Sequence, residues 1–89
     1  MNIHLSSGFL RDYRKLLKKN PQLKIKIAEK LSLFENNPNH PSLRLHKLQG
    51  KMIIDWSISI ALDLRLVFVY VEDGILLVDI GSHDEVYGR

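Results

Sequence analysis

The spacing of the apolar residues changes at Pro41, and this change limits the possible folds more than any other feature of the sequence. Before Pro41, apolar residues recur every three or four positions, which is the period of an α-helix with one buried face. After Pro41 they alternate with polar residues, which is the period of a β-strand. Helices followed by strands are typical of an α+β fold.

Two helices are predicted before Pro41. Ser6 or Ser7 can cap the first, because a serine oxygen accepts from the free amides of a helix's first turn. Asn20-Pro21 ends that helix, and Asn20 is expected to cap the second, since proline suits a first turn. The second helix has an apolar stripe formed by Leu23, Ile27, Leu31 and Phe34. The two helices are expected to form a hairpin.

Four consecutive antiparallel strands are predicted after Pro41, over residues 43–48, 54–61, 64–71 and 75–80. Turns are expected at 49–51, 62–63 and 72–74. The full prediction is an α+β fold in which a short N-terminal strand, over residues 1–5, and the helical hairpin pack on a four-stranded antiparallel sheet. A short C-terminal helix or turn follows.

Size and composition exclude several classes of protein. The chain has 89 residues, enough for one domain, residues 1–89, with a modest core. It has no cysteine, so disulfide frameworks, thiolate metal sites and thiol nucleophiles are excluded. The four histidines are scattered, and neither a metal site nor a cofactor is expected. No segment resembles a secretory signal or a membrane span, so a cytoplasmic location is expected.

Positive charge is concentrated in the predicted helices, although the net charge is only +3. Residues 11–30 include eight basic residues and only two acidic ones. The basic residues are Arg11, Arg14, Lys15, Lys18, Lys19, Lys24, Lys26 and Lys30, and the acidic ones are Asp12 and Glu29. Such a concentration favours a polyanionic partner or an acidic protein. The simpler interpretation is a solvated helix face.

Chemically active residues are concentrated on one predicted sheet face and in the C-terminal segment. Ser57, Ser59 and Arg65 are expected on the face that the helices leave uncovered, while Trp56 belongs to the apolar stripe and the core. His83 and Tyr87 follow the last strand, so they can reach a ligand bound on the sheet.

Arg65, His83 and Tyr87, with His46 and Asp63 as helpers, form a set suited to phosphodiester chemistry. Histidine transfers protons near neutral pH, a guanidinium binds phosphate through two hydrogen bonds, and a phenol stacks on a base or holds a phosphate oxygen. RNA cleavage needs no protein nucleophile, because the 2′-hydroxyl attacks the adjacent phosphorus.

Each candidate also has a structural interpretation. Arg65 could pair with Asp63 or Asp79. His83 could cap a terminal helix, and Tyr87 could pack against the sheet edge. His46 lies on a strand, where a structural or substrate-contacting role is favoured over catalysis. Asp63 is most simply a turn residue.

The order of these motifs resembles the RelE superfamily of bacterial toxins, the toxin halves of type II toxin–antitoxin pairs. The resemblance covers nearly the whole chain. It depends on the basic helical hairpin and on three segments: His46-Lys47-Leu48-Gln49-Gly50, Leu64-Arg65-Leu66-Val67-Phe68 and Ile80-Gly81-Ser82-His83-Asp84-Glu85-Val86-Tyr87. The terminal histidine is similar to the YafQ branch, whereas the strand arginine and final tyrosine are similar to RelE itself.

The resemblance implies a ribosome-dependent endoribonuclease that leaves a 2′,3′-cyclic phosphate and a 5′-hydroxyl. By position, Arg65 matches the phosphate-stabilising arginine and Tyr87 the terminal aromatic residue. His83, His46 and Asp63 match active-site positions of the YafQ branch. The chain departs from YafQ at Ser59, in place of a second central histidine, and from RelE at Ser57 and its neighbours, in place of paired lysines. The general base is therefore left open.

The resemblance also implies partners. An antitoxin is expected to wrap the toxin in a hetero-oligomer, and the ribosome and mRNA are the expected targets, with no membrane partner. RNA or ribosome contacts are expected at Lys15, Lys18, Lys19, Lys26, Lys30, Arg44 and Lys47. Two other functions stay possible on this sequence: a ParE-like toxin that inhibits DNA gyrase without cutting RNA, and a catalytically inactive antitoxin-binding module.

Overall fold

The structure is a computed structural model that describes residues 1–48 and 54–87, except for the side chain of Tyr87. Its elements follow the predicted order. They are β1 (Asn2–Leu5), α1 (Ser7–Lys19), α2 (Leu23–Asn36), a 3-10 turn (Pro41–Leu43), β2 (His46–Lys47), β3 (Trp56–Ala61), β4 (Leu64–Val71), β5 (Gly74–Gly81) and α3 (His83–Tyr87).

The helix ends agree with the sequence at one position and differ at another. Ser6 caps α1 as predicted, because its hydroxyl oxygen accepts from the Phe9 N–H at 3.0 Å. The prediction that Asn20 caps α2 was wrong. Asn20 ends α1 by donating its N–H to the carbonyl of Leu16, and α2 begins only at Leu23, without a side-chain cap.

The sheet has five strands in the order β1-β5-β4-β3-β2. The pairs from β2 to β5 are antiparallel, as expected, and the N-terminal strand joins as a fifth strand parallel to β5. This pairing depends on Gly74, since a Cβ there would overlap the carbonyl oxygen of Asn2. The sheet is therefore mixed, with five strands rather than the predicted four antiparallel ones, while the α+β class is confirmed.

The predicted first strand of the second half, residues 43–48, is reduced to His46–Lys47. Pro41–Leu43 forms the 3-10 turn instead, and Arg44 ends that turn with a left-handed backbone. An extended strand cannot pass through such a residue. The turn at 62–63 is present as predicted, and the turn predicted at 72–74 covers residues 72–73, because Gly74 already begins β5. The turn expected at 49–51 lies outside the described residues.

Helices α1 and α2 cover one face of the sheet. Phe9, Ile27 and Phe34 pack there with the inward residues of β3, β4 and β5 in one buried cluster. Trp56 is half-buried against this cluster, and its ring meets that of Tyr70 edge to face at 5.6 Å. The core therefore lies on the helix side, as the apolar stripe predicted.

The opposite face carries α3 and the polar side chains. Strand pairing aligns His46, Ser57, Val67 and Asp79 in one row across β2, β3, β4 and β5. Val86 of α3 is 3% exposed and packs with Val67 and Leu48. This short helix therefore lies on the face that α1 and α2 leave uncovered. In the described parts of the chain, no helix has the length and apolarity needed to cross a membrane.

Candidate active site

Arg65 lies on β4 between two core residues, so its side chain leaves the sheet on the face opposite the helices. It is 9% exposed. Its Nη2 donates to the Ser57 hydroxyl at 2.8 Å and to the Arg44 carbonyl oxygen at 3.1 Å. Two acceptors from different parts of the chain therefore fix the direction of the guanidinium.

His46 lies beside this group. Its Nδ1 is 3.5 Å from Arg65 Nη2, at the outer limit of a hydrogen bond. The guanidinium can only donate, so a hydrogen bond here has His46 Nδ1 as its acceptor. The structure thus brings together two of the predicted site residues, Arg65 and His46.

The start of α3 is built by a reciprocal cap. The Ser82 hydroxyl accepts from the Glu85 N–H at 3.2 Å, and Glu85 Oε1 accepts from the Ser82 N–H at 2.8 Å. This is the capping box, and its S-x-x-E signature could have been found in the sequence. The capping residue is therefore Ser82, rather than His83.

His83 is the first residue of α3, and its side chain is 65% exposed. Its Nδ1 lies 3.6 Å from Asp84 Oδ1, within ion-pair range when the imidazole is protonated. Its backbone N–H points to Asp63 Oδ1 at 3.5 Å. Asp63, in the turn before β4, is therefore close to the start of α3, and the imidazole itself reaches solvent.

Arg65 and His83 lie at the same end of the sheet. Arg65 pairs with Gly81 across β4 and β5, and His83 follows Gly81 by two residues. Tyr87 is the last residue of α3, and its side chain lies outside the described residues. The structure therefore groups Arg65 with His46 and Asp63 with His83, at one end of one sheet face.

The family of this chain follows from comparison with known proteins. The family model for YafQ, the bacterial toxin of a type II toxin–antitoxin system, matches residues 1–88. The chain belongs to the YafQ family of toxins. It is therefore a member of the RelE superfamily and the toxin of a type II toxin–antitoxin pair.

Solved structures share the fold of this chain. A copper-bound L66S mutant toxin from Helicobacter pylori is 27% identical with a TM-score of 0.77, covering 97% of this chain and 98% of its own. YafQ from E. coli strain BL21(DE3) is 21% identical with a TM-score of 0.79, covering 98% of both chains. A chain of the E. coli DinJ–YafQ complex is 21% identical with a TM-score of 0.78, and the match again covers 98% of both chains. Comparison with curated protein sequences gives no significant match.

Two groups that sequence reasoning did not assign to the site of this YafQ-family toxin are the Ser57 hydroxyl and the Arg44 carbonyl. Ser57 is 0% exposed, and strand alternation had placed it on the face of Arg65 without assigning it a contact with the guanidinium. Arg44 was predicted only as an RNA-binding side chain. The contact of its carbonyl depends on backbone angles that no sequence pattern indicated.

The basic residues of the toxin are distributed over several surfaces. Lys15 and Lys19 line a cavity of about 350 Å³ between α1 and Gly81, together with Asp12 and Glu85. Lys30 donates to the Ser42 hydroxyl at 3.2 Å. The remaining predicted contacts are exposed: Lys18, Lys26, Arg44 and Lys47. Lys15 and Lys19 therefore lie beside Gly81, in the segment leading into α3.

Proposed function

We propose that this YafQ-family toxin is an endoribonuclease that cuts mRNA on the ribosome and thereby inhibits translation. The observation that carries the proposal is the fixed guanidinium of Arg65. It is held by Ser57 and by the Arg44 carbonyl, on the sheet face where α3 begins with His83. A cation fixed in this way suits a reaction that builds negative charge on a phosphate.

The reaction requires only the RNA and proton transfer. The 2′-oxygen forms a bond to the adjacent phosphorus while its proton passes to a base. The bond from phosphorus to the 5′-oxygen then breaks, and the leaving oxygen takes a proton from an acid. The products are a 2′,3′-cyclic phosphate and a 5′-hydroxyl, and neither a metal nor a cofactor takes part.

Arg65 is assigned to the phosphoryl oxygens, because a guanidinium binds them through two parallel hydrogen bonds. His83 is assigned to proton transfer, since its exposed imidazole can meet a substrate at the sheet end. His46 is the second imidazole within reach of the Arg65 group. Asp63 supports the start of α3 through the His83 N–H, and Tyr87 is assigned to base stacking or to a phosphate oxygen.

Binding to the ribosome and to mRNA is assigned to the basic side chains. Lys15 and Lys19 lie next to Gly81 and Glu85, near the N-terminal end of α3. Phosphate contacts from such residues position an RNA without reading its sequence. The wider set in this proposal adds Lys18, Lys26, Lys30, Arg44 and Lys47.

The proposal includes a cognate antitoxin in a toxin–antitoxin hetero-oligomer. YafQ of E. coli has been solved in complex with DinJ, and the present chain shares its fold. A segment carrying carboxylates complements the lysines on α1, in the manner of an acidic peptide that orders on binding.

Primer extension on transcripts from cells that express the toxin tests this function. Discrete cuts within translated codons are expected, and they should disappear when translation initiation is blocked. Intact transcripts with DNA damage would indicate a ParE-like gyrase inhibitor instead. A chain that is harmless when expressed alone would indicate a catalytically inactive antitoxin-binding module.

A further inference from the structure

Arg44 has a backbone conformation that its residue type disfavours. Its φ of 46° and ψ of 47° lie in the left-handed region, and among the described residues it is the only non-glycine residue with positive φ. The Cβ of an L-residue crowds the following carbonyl in this conformation, which is why glycine and asparagine are preferred there. Such positions persist where the surrounding structure requires them, and they are frequent at functional sites.

The turn before Arg44 is held in place by several contacts. Leu43 is 0% exposed, so the turn is anchored in the core. The Arg44 N–H donates to the Pro41 carbonyl at 3.2 Å. His40 Nδ1 accepts from the Ser42 N–H at 3.2 Å. These contacts fix the turn up to Arg44, whose own φ and ψ then set the direction of its carbonyl.

That carbonyl accepts from Arg65 Nη2 at 3.1 Å. Nη2 carries two hydrogens, and the Ser57 hydroxyl oxygen accepts from the same nitrogen at 2.8 Å. A serine hydroxyl can rotate, but a backbone carbonyl has no rotamers and is aimed only by the main chain. The side chain of Arg44, by contrast, is exposed.

We propose that Arg44 is a positioning residue, whose left-handed backbone aims its carbonyl oxygen at Arg65 and holds the guanidinium in its working direction. This inference rests on the proposed ribonuclease function for its catalytic consequence. The exposed side chain of Arg44 contributes charge for RNA binding, and its backbone contributes the direction of Arg65. Substitutions at one position can therefore separate the two contributions.

Arg44→Gly and Arg44→Val make the separating pair, because both remove the charge and only glycine adopts the left-handed conformation without strain. Steady-state cleavage of mRNA on ribosomes gives KM and kcat for each full-length variant. Both variants should raise KM equally. The kcat of Arg44→Val should be about ten-fold or more below that of Arg44→Gly, because only the valine substitution disfavours the left-handed backbone. Equal kcat values for the two variants would overturn the proposal.

Two additions keep the test decisive. Arg44→Asn, which tolerates the left-handed region, should behave like Arg44→Gly. If Arg44→Val does not fold, judged by circular dichroism, Arg44→Thr replaces it, since its branched Cβ disfavours the left-handed region while its side chain is more polar than that of valine. For this variant, a kcat equal to that of Arg44→Gly would count against the positioning role.

Nuclear magnetic resonance of the Arg65 guanidinium separates this inference from the proposed function. Hydrogen exchange of its N–H groups should be as slow in Arg44→Gly as in the wild type, and faster in Arg44→Val or Arg44→Thr. Unchanged exchange in all variants would overturn the positioning role even if cleavage occurs. A wild-type protein that cuts no RNA would overturn the ribonuclease function, while the exchange rates would still decide the role of Arg44.

Discussion

The Nη2 of Arg65 lies 2.8 Å from the hydroxyl oxygen of Ser57 on the neighbouring strand, and Ser57 is 0% exposed. A buried hydroxyl that accepts from a guanidinium links the stability of the sheet to the direction of the predicted phosphate-binding group. The two residues lie on adjacent strands without being direct pairing partners, since Ser57 pairs with Val67 and Arg65 pairs with Ser59.

Ser57→Ala should therefore reduce both stability and cleavage. The substitution removes one acceptor from a buried charged donor, so the free energy of unfolding should fall by about 1–3 kcal/mol. Cleavage on ribosomes should slow by several-fold to about ten-fold, because Arg65 loses the acceptor that Ser57 provides on the neighbouring strand. Urea unfolding and single-turnover cleavage measure the two effects.

Ser59→Ala is the matched control. Ser59 lies two residues further along the same strand, and its hydroxyl donates to the Ala61 carbonyl at 3.2 Å rather than contacting the guanidinium. This substitution should cost about 1 kcal/mol or less and leave single-turnover cleavage close to the wild type. Equal losses of cleavage in the two variants would contradict the role given to Ser57.

Gly74→Ala should weaken the docking of β1. The added Cβ would overlap the carbonyl oxygen of Asn2, so β1 or the turn must shift. Overpacking of this kind destabilises by about 1–3 kcal/mol. Thermal unfolding measures the loss, and faster hydrogen exchange in β1 than in β4 would locate it.

Gly8→Ala makes the same substitution in α1, where it is expected to stabilise the fold. Gly8 lies in α1, and the nearest atom to an added Cβ, on the Arg11 side chain, is 3.8 Å away. Alanine is the better helix former, so this variant should be more stable by about 0.5–1 kcal/mol. A lower stability for Gly8→Ala, or no loss for Gly74→Ala, would contradict the packing described.

Asp73 should make stability fall in acid. Hydrogen bonds from Asn2 and from His4, each at 2.9 Å, lower the pKa of its carboxyl below the ordinary value of 3.8. A group with a lowered pKa in the folded state stabilises the fold fully above the unfolded value and loses that contribution as the pH falls. The advantage of the wild type over Asp73→Asn should therefore be constant above pH 3.8 and shrink below it.

Urea unfolding between pH 3 and pH 6 measures this difference. Glu72→Gln is the control, since it removes a carboxylate from the same turn. Its difference from the wild type should not show the same decline. A gap between wild type and Asp73→Asn that stays constant down to pH 3 would contradict the contacts of Asn2 and His4 with Asp73.

The sequence predicted those parts of the fold that depend on local pattern. Alternation located β3 and β4, the apolar run over residues 75–80 located β5, and Ser6 located the start of α1. The parallel pairing of β1 with β5 was not predicted, because it joins segments about seventy residues apart and depends on the close approach at Gly74. The left-handed turn at Arg44 was missed for a related reason, since arginine gives no sign of positive φ.

In the candidate site, too, the sequence predicted only what depends on local pattern. Alternation placed Arg65 on the face away from α1 and α2, and the structure agrees. The partners of its guanidinium could not be predicted, because they depend on strand register. That register shifts between Ser59 and Ala61 on β3 and between Val67 and Phe68 on β4. The catalytic roles of His46, Asp63, Arg65, His83 and Tyr87 stay predictions that only activity measurements can test.

His83→Ala should abolish most of the toxin's activity while leaving the fold intact. The imidazole is 65% exposed, so its removal should change the free energy of unfolding by about 0.5 kcal/mol or less. If His83 transfers a proton in the cleavage step, kcat should fall by about 10²–10⁴-fold and growth arrest should be relieved. His4→Ala is the matched control, since it removes an imidazole from β1, where the ring contacts Asp73. That variant should keep its cleavage rate. A His83→Ala protein that cleaves at the wild-type rate would show that the proton is transferred elsewhere, and His46, beside Arg65, would be the next imidazole to substitute.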